Sequence, residues 1–576
     1  MLALLLAAAS PAAAEIRYSV SLARRAEHQF AVTMIVPDVR SRLVVAMPAW
    51  NATYQIRDFA ERVEDFRASQ ADAAGQALPV RSLDDQTWEI DASGAVRVQY
   101  SVYWNEPGPF SSQLNGRHAF LNLAEVLFYA PARRREAAQL AFTDLPDGWK
   151  IAVELPPGPC PTCFAAAGYD ALVDAPVEIG SFAEFQFEAN SAHCRVAVDG
   201  SGWDRAALES WLRKIVGYET TLMREAPFPE YLFIYHIGPG SGGGGMEHAN
   251  STAIAVPNAA RIPSVTAHEF FHLWNVKRIR PQTLEPVDYS RPMWTRALWF
   301  AEGVTSTYGS YTLVRAGLWT PDRYFQHLSD LITGLEDRPA GRWQSVEESS
   351  LDTWLDKYPF YNRPDRSISY YDKGELDGLL LDILIRDQTG NRASLDDVLR
   401  YMNAAYAHRG RFYDDSAGIE AAVERVAGRS FAEFFRRYVA GAGEVPWKQL
   451  LARGGLDVST RLVQVADPGI EWRVAPSGGA EVTEVTPGGA AEKAGLVEGD
   501  RIVSAGRQPL PRNPQAWADE RQPGETIELR VERGGQAVSL PLTLGARLRT
   551  LYSVEPLPNP PAAARRILDG ILHGEP

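Results

Sequence analysis

The sequence predicts a multidomain protein of mixed α and β structure, an α+β class. Its 576 residues are too many for one hydrophobic core. Apolar and polar residues alternate through the first third of the chain, whereas helical periodicity dominates residues 291–455. A second β-rich stretch follows at residues 460–546. We therefore expect β-rich units at both ends and a largely helical unit between them.

The composition is that of an ordinary globular chain and argues against two classes of partner. Hydrophobic residues make up 45% and charged residues 23%, and the formal net charge is −14. An acidic surface does not attract nucleic acid or anionic membranes. After the N-terminal stretch, no segment has the roughly 18 apolar residues that a membrane helix needs. We expect no nucleic-acid partner and no membrane span.

The N-terminal residues 1–14 read MLALLLAAASPAAA and are interpreted as a signal peptide. Their apolar part is too short to span a bilayer, and the small residues before Glu15 suit signal-peptidase cleavage. The basic residues that normally begin such a peptide are missing, so the true start is expected farther upstream. The alternative interpretation is a disordered Ala-rich terminus. We expect an exported protein, either periplasmic or secreted.

The three cysteines are too few for a disulfide scaffold. Cys160 and Cys163 could form a small local disulfide in an oxidising compartment. Cys194 is interpreted as a buried or unpaired thiol.

Residues 15–190 are predicted to form a β-sandwich. Apolar residues alternate with polar ones from Ile16 to Leu22 and again from Phe30 to Val36. The run Val96–Val102 repeats the pattern. Short alternating runs at this spacing are typical of two packed sheets.

Residues 191–455 are predicted to contain mixed α and β structure, followed by helices. The pattern predicts a helix at Trp203–Met223 and strands at Tyr231–Tyr235 and Thr252–Val256. Farther along, apolar residues from Leu376 to Leu384 indicate a helix, and Gly390 suits its C-terminal end.

The run His268-Glu269-Phe270-Phe271-His272 contains the H-E-x-x-H pattern of zinc peptidases. On a helix, His268 and His272 lie one turn apart on the same face, so both can bind one metal ion. Glu269 then lies close to any water at that metal. The pattern also occurs by chance, but its apolar neighbours indicate a buried helix whose histidines need a partner.

A catalytic zinc ion needs a third protein ligand, and Glu302 is the strongest candidate. It follows His272 by 30 residues and lies inside the apolar run Leu298–Val304, where a solvated carboxylate is not expected. Glu285 and Asp288 are the alternatives, in a proline-containing loop where exposed acids are ordinary.

Residues 460–546 resemble a PDZ domain in the runs 482–485, 490–496 and 499–503. A predicted hairpin turns at Gly534-Gly535, and the tail 547–576 is predicted to be a strap with a short terminal helix. Such a unit could bind an extended peptide C-terminus, with Gly469-Ile470 as a fair candidate for its apolar loop. A packing role against the rest of the chain is the alternative.

The longer stretch His268–Pro281 (HEFFHLWNVKRIRP) resembles the signature of the glycyl aminopeptidase family, which comprises PDZ-bearing bacterial zinc metallopeptidases. The stretches Met47–Trp50, Ile56–Phe59 and Tyr169–Phe182 agree with it. This family is related to the aminopeptidase N group of gluzincins. The resemblance therefore implies a thermolysin-like catalytic domain, of the zincin type, at residues 191–455.

The resemblance also implies roles for residues on the substrate side. The run Gly245-Met246-Glu247-His248 resembles the exopeptidase motif that lines the cleft, in which the glutamate binds the free α-amine of the substrate. The alternative is a flexible glycine loop with an exposed acid. His248 stands where aminopeptidase N enzymes have Asn, which leaves its role open. Tyr371 resembles the tyrosine that stabilises the tetrahedral intermediate, with Tyr370 as the alternative.

These inferences together predict an aminopeptidase that holds one Zn²⁺ ion and acts on peptides with a free N-terminus. The resemblance implies a preference for N-terminal Gly, then Ala, with Glu269 as general base. The alternatives are a catalytically silent, PDZ-bearing peptide-binding protein and an endopeptidase on the same scaffold.

Overall fold

The computed structural model describes residues 15–51, 54–72, 74–474, 479–506 and 514–574; the predicted signal peptide lies outside these residues. The N-terminal unit is built almost entirely from short strands. Its elements are β1 (Ile16–Ser21), β2 (Gln29–Val39), β3 (Arg42–Ala46), β4 (Val63–Gln70), β5 (Val80–Ser82), β6 (Thr87–Asp91), β7 (Gly94–Tyr103), β8 (Gln113–Leu114), β9 (His118–Leu121), β10 (Ala138–Thr143), β11 (Lys150–Ala152), β12 (Cys163–Ala166), helix α1 (Tyr169–Val173) and β13 (Val177–Gly180).

The predicted β-sandwich is confirmed. A six-stranded sheet has the order β12-β10-β1-β2-β7-β4, and it is accompanied by a four-stranded sheet β11-β13-β9-β8 and a three-stranded sheet β3-β6-β5. The alternation seen in the sequence buries one face of each long strand, as in β2, where Phe30, Val32 and Met34 are at most 2% exposed. Cys160 and Cys163 form a disulfide at the edge strand β12, and Cys194 is buried and free.

A second sheet begins the middle unit. Its elements are β14 (Ala183–Ala189), β15 (Ala192–Gly200), helix α2 (Arg205–Met223), β16 (Tyr231–Ile237), β17 (Gly244–Glu247), β18 (Ser251–Val256) and helix α3 (Ile262–Phe271). The sheet order is β14-β15-β16-β18-β17, with β15, β16 and β18 parallel and β17 antiparallel at the edge. Strand β14 precedes the predicted boundary at residue 190 but pairs with β15 along its length, so this sheet begins at Ala183.

Helices complete the middle unit, in agreement with the helical periodicity. They are α4 (Thr305–Arg315), α5 (Pro321–Glu336), α6 (Val346–Leu351), α7 (Tyr370–Thr389), α8 (Leu395–Ala405), α9 (Asp415–Ala427), α10 (Ala432–Phe434) and α11 (Trp447–Arg453). Helix α7 ends at Gly390 in the predicted left-handed conformation, with φ of 63°. One hydrophobic core joins these helices to α2, α3 and one face of the second sheet. None of the described helices is both long and apolar enough to cross a membrane.

The C-terminal unit is a small β-rich domain joined to the rest by a long strand pair. Its elements are β19 (Leu456–Asp467), β20 (Ile470–Val474), β21 (Ala480–Val485), α12 (Ala490–Lys493), β22 (Arg501–Ala505), α13 (Pro514–Asp519), β23 (Thr526–Arg533), β24 (Gln536–Thr543), β25 (Gly545–Pro556) and α14 (Ala562–His573). Strands β20 to β24 form one sheet in sequence order, and the predicted hairpin turns at Gly534 and Gly535, both with positive φ. Strands β19 and β25 pair with each other from end to end.

Strand β25 fastens this domain to helix α5. The backbone amides of Tyr552 and Val554 each donate a 2.9 Å hydrogen bond, to the hydroxyls of Thr333 and Ser329. Arg547 adds an ion pair of 2.9 Å with Asp337 just beyond the helix. The C-terminal domain is therefore packed against the helical unit through specific contacts.

Candidate metal centre and active site

The H-E-x-x-H residues lie at the C-terminal end of α3, as the spacing predicts. His268 is on the last turn, and His272 directly follows the helix with helical backbone angles. The two Nε2 atoms are 3.0 Å apart and face the same point. Their separation shows that one ion can contact both rings.

Glu302 completes the donor set from a different element. It lies on a π-helical turn, Trp299–Val304, that leads into α4, and its side chain is buried. Its Oε2 is 3.4 Å from His268 Nε2 and 3.2 Å from His272 Nε2. Such π-turns are frequent at functional sites because the extra residue redirects a side chain.

A seam of glycines presses α7 against this π-turn. A Cβ atom on Gly303 would lie 2.5 Å from the Cα of Gly374, and one on Gly374 would lie 2.3 Å from the carbonyl oxygen of Trp299. Larger residues would therefore force the two helices apart. The seam holds Glu302 and the start of α7 on one side of the cleft.

The three donor atoms fit a zinc ion. Ligands bound to tetrahedral zinc at about 2.0–2.1 Å lie about 3.3–3.4 Å from one another. The three distances here, 3.0, 3.2 and 3.4 Å, agree with that spacing without rearrangement. Two imidazoles and a carboxylate are also the donor types that zinc prefers in hydrolytic sites.

Hydrogen bonds at the Nδ1 atoms of His268 and His272 orient the two rings so that both Nε2 atoms face the predicted metal position. Nδ1 of His272 donates to the carbonyl oxygen of Asn275 at 2.7 Å. Nδ1 of His268 is 3.2 Å from the hydroxyl of Ser306, which itself donates to the Glu302 carbonyl. Partners of this kind fix the tautomer and orientation of metal-binding histidines.

Electrostatics separate the roles of the two acids beside the histidines. Burial alone would raise the pKa of Glu302, but the charge of His272 and hydrogen bonds from both histidines hold it below its ordinary value. Burial raises the pKa of Glu269 well above its usual range. Glu302 is thus the anionic ligand, while Glu269 has greater proton affinity.

The alternative third ligands are engaged elsewhere. Glu285 forms an ion pair of 2.6 Å with Arg280, and Asp288 binds Arg291 at 2.7 Å. Neither belongs to the group of donor atoms that converges near His268. The structure therefore brings Glu302, and not these acids, to the two histidines.

The first three residues of the predicted exopeptidase motif lie on the edge strand β17, facing Glu269. Ligand atoms of Glu247, Glu269 and His272 all lie within 4.8 Å of one another. A Cβ atom on Gly245 would lie 2.3 Å from Cγ of Glu269, so only glycine allows this approach. Met246 is buried, at 3% exposure. The strand and the general-base candidate therefore pack directly against each other.

His248 extends this motif away from the metal donors. It is buried, and its Nδ1 lies 3.3 Å from Asp174 Oδ1, which also accepts a 2.7 Å bond from Lys277. Burial opposes ionisation of Asp174, but the charge of Lys277 and the bond from His248 lower its pKa. With Glu247, these residues line a small cavity of about 90 Å³ behind the strand.

The two tyrosines at the start of α7 differ in their partners. The Tyr370 hydroxyl is buried and lies 3.0 Å from the Thr353 hydroxyl. Tyr371 is 39% exposed, and its ring centroid lies 6.1 Å from that of His268. Both rings line the same cleft, but Tyr371 is the one beside the metal donors.

The cleft has a volume of about 600 Å³ and lies where the sandwich meets the middle unit. The sandwich contributes residues that sequence reasoning missed as site residues: Tyr54, Gln55, Arg57, Phe110 and Ser111. Arg57 lies in the quoted stretch Ile56–Phe59, which could have indicated it. No sequence signal indicated Phe110. Its ring packs closely against β17, since a Cβ on Gly244 would lie 3.0 Å from it.

A buried donor set for a metal, next to a buried acid and an edge strand, defines a hydrolase of the metallopeptidase class. Comparison with known families agrees. Residues 17–181 match the Peptidase M61 N-terminal domain, residues 261–376 match the M61 glycyl aminopeptidase domain, and residues 481–533 match a PDZ domain. The chain belongs to the M61 glycyl aminopeptidase family.

Two solved structures resemble this chain to different extents. An aminopeptidase N family protein from Idiomarina loihiensis is 25% identical, with a TM-score of 0.82 over 97% of this chain and 100% of that chain. An M1 zinc metallopeptidase from Deinococcus radiodurans is 14% identical, with a TM-score of 0.46 over 75% of this chain and 94% of that one.

One curated relative matches over a short region. Protease RseP from Photorhabdus luminescens is 42% identical over 67 residues, which is 11% of this chain. The match spans 28% of the length of that protein.

Proposed function

We propose that the protein is a zinc-dependent aminopeptidase that removes small N-terminal residues, Gly first and Ala next. The observation that carries the proposal is the convergence of the metal donors, Glu269 and Glu247 on one cleft. His268, His272 and Glu302 would hold a single zinc ion. When bound there, zinc would lower the pKa of water and polarise the carbonyl oxygen of the substrate.

Glu269 is the general base of the proposed reaction. Its carboxylate takes a proton from the attacking water and passes it to the leaving amine. Its position against Gly245 supports this role, because a fixed carboxylate needs little reorganisation during proton transfer.

Glu247 would select substrates with a free N-terminus. A carboxylate facing an α-ammonium group in a closed cleft makes a strong, charge-assisted hydrogen bond. Among the described strands, β17 pairs with β18 alone, which leaves its outer edge for the backbone of an extended substrate. The Glu247 carboxylate lies within 4.8 Å of the ligand atom of His272, a distance that would fit one residue between the bound amine and the scissile bond.

An aromatic wall supports the preference for small residues. Tyr54 lines the cleft and stacks on Trp50, and both rings contact Trp354 edge-on. The Trp50 indole is anchored by a 2.8 Å hydrogen bond to the carbonyl oxygen of Asp288. A wall that is packed and anchored in this way would exclude bulky N-terminal side chains.

Tyr371→Phe is expected to reduce kcat by about 10²- to 10³-fold, because the phenol would no longer donate to the developing oxyanion. The matched control is Tyr370→Phe, since Tyr370 is bonded to Thr353 and should affect kcat much less. Steady-state kinetics on a Gly-anilide checks both variants. A larger loss from Tyr370→Phe would transfer the role to that residue.

Export and peptide binding at the PDZ domain are part of the proposal. The disulfide between Cys160 and Cys163 favours an oxidising compartment, periplasmic or extracellular. Strand β20 forms the edge of the described PDZ sheet, where a peptide C-terminus could add as a further strand.

Metal removal tests the proposed function. Dialysis against a chelator should abolish hydrolysis of a Gly-anilide, and a stoichiometric addition of Zn²⁺ should restore it. A folded, zinc-loaded protein that cleaves no peptide would instead favour the silent peptide-binding alternative. Activity that survives complete metal removal would contradict the proposal.

A further inference from the structure

A second group of metal-binding side chains lies apart from the cleft, where the sandwich meets the second sheet. It consists of His118 on β9, Glu178 on β13 and His236 on β16. Their exposed fractions are 5%, 0% and 6%. His118 Nδ1 is 3.0 Å from Glu178 Oε1, and His236 Nε2 is 2.9 Å from Glu178 Oε2.

A chain of hydrogen bonds places a proton on the far side of the His118 ring. Nδ1 of His28 donates to the carbonyl oxygen of Leu114 at 2.6 Å, so in the neutral ring its Nε2 accepts from the Asn105 amide at 3.4 Å. The Gln113 amide donates to Asn105 Oδ1 at 3.1 Å. The oxygen of Gln113 then faces His118 Nε2 at 3.1 Å and accepts its proton.

In a neutral His118 ring, Nδ1 therefore carries a lone pair and no proton. It would face a carboxylate oxygen of Glu178 at 3.0 Å, and two acceptors at that distance repel each other. A cation between them removes the conflict. That cation is either a second proton on His118 or a metal ion shared with His236.

We propose that His118, Glu178 and His236 bind a structural zinc ion that fastens the sandwich to the middle unit. Two imidazoles and a carboxylate suit zinc, and all three ligand atoms lie within 4.8 Å of one another. The His118 and His236 nitrogens lie 3.0 and 2.9 Å from different oxygens of Glu178, so the carboxylate stands between the two rings and offers an oxygen to each side.

A glycine next to His118 leaves space for its side chain, and an acid nearby could serve as a fourth ligand. Gly180 pairs with His118 across the strands, and a Cβ there would lie 3.0 Å from the His118 Cβ. Asp199 is the neighbour of His236 on β15, and its Oδ2 lies 3.9 Å from His118 Nδ1. A fourth protein ligand would close the coordination sphere, as is usual for structural zinc.

Metal analysis of the full chain tests this site independently of catalysis. Two equivalents of zinc are expected per parent chain after weakly bound ions are removed by gel filtration. The variant H268A/H272A loses the catalytic donors but leaves the second cluster untouched, so it should keep one equivalent. Loaded with Co²⁺, it should show the visible absorption bands of a tetrahedral site.

The matched variant H118N/H236N should keep one equivalent and the Gly-anilide activity of the parent, but it should unfold at a lower temperature. Chelation should lower the melting temperature of H268A/H272A by several degrees. If H268A/H272A holds no zinc while the parent holds one equivalent, the site does not exist, and His118 carries a second proton instead. This outcome does not depend on whether H118N/H236N folds.

Discussion

Replacing Glu269 with Gln is expected to reduce kcat on a Gly-anilide by about 10²- to 10⁴-fold, the usual contribution of a general base. The amide is close in size to the carboxylate, so the contact with Gly245 remains. It cannot accept the proton of the attacking water, and this is the physical reason for the loss. Steady-state kinetics together with zinc analysis measures both consequences.

Zinc content is the decisive companion measurement for this variant. Glu269 is outside the group formed by His268, His272 and Glu302, so the variant should bind zinc like the parent. Glu285→Gln is the matched control, because Glu285 pairs with Arg280 and should leave kcat unchanged. Loss of zinc from Glu269→Gln would show that Glu269 is a structural residue.

Glu247→Ala is expected to lower kcat/KM for free Gly- and Ala-anilides by about 10- to 100-fold. This corresponds to the loss of one hydrogen bond between charged groups, worth about 1.5–3 kcal/mol. An N-acetylated substrate has no ammonium group, so its slow cleavage should be unchanged. The ratio of the two rates therefore reports on amine recognition rather than on general damage.

A control for Glu247→Ala is available on the same sheet. Glu184 lies on β14 at the opposite edge, where it pairs with Arg195 at 3.1 Å. Glu184→Ala should leave the ratio of free to acetylated substrate unchanged. If Glu247→Ala also leaves that ratio unchanged, Glu247 does not bind the amine.

The metal donors could be predicted from sequence because their geometry is local. A spacing of four residues on a helix is enough to place His268 and His272 together. Glu302 was predicted from its apolar surroundings, since a buried carboxylate needs a partner. The π-helical turn that aims it has no comparable sequence signal, and the glycine seam that fixes it involves two distant helices.

Apart from Arg57, the residues that reach the cleft from the sandwich could not be predicted in this way. Phe110 is far from the H-E-x-x-H helix in sequence, and its place in the cleft depends on how two units pack. The same holds for β14, which lies before the predicted boundary but pairs into the second sheet. Strands β19 and β25 flank the PDZ domain and pair across it, a long-range register that periodicity alone does not reveal.

The turn and the helix end that glycines predicted from the sequence are both present in the structure. Gly390 adopts the left-handed conformation expected at a helix end, and the Gly534-Gly535 turn closes a hairpin. Both depend on backbone conformations that glycine reaches without strain. Each of these features depends on one or two residues, so it is less sensitive to tertiary packing than a long strand pairing.

The central claim is that the cleft removes one small residue from a free N-terminus. Its most direct test is the hydrolysis of Gly-, Ala- and Leu-anilides by the zinc-loaded parent, beside N-acetyl-Gly-anilide and a peptide blocked at both ends. We expect rapid cleavage of the Gly substrate, slower cleavage of Ala, and little cleavage of the others. Efficient cleavage of the blocked peptide would contradict the account and identify an endopeptidase.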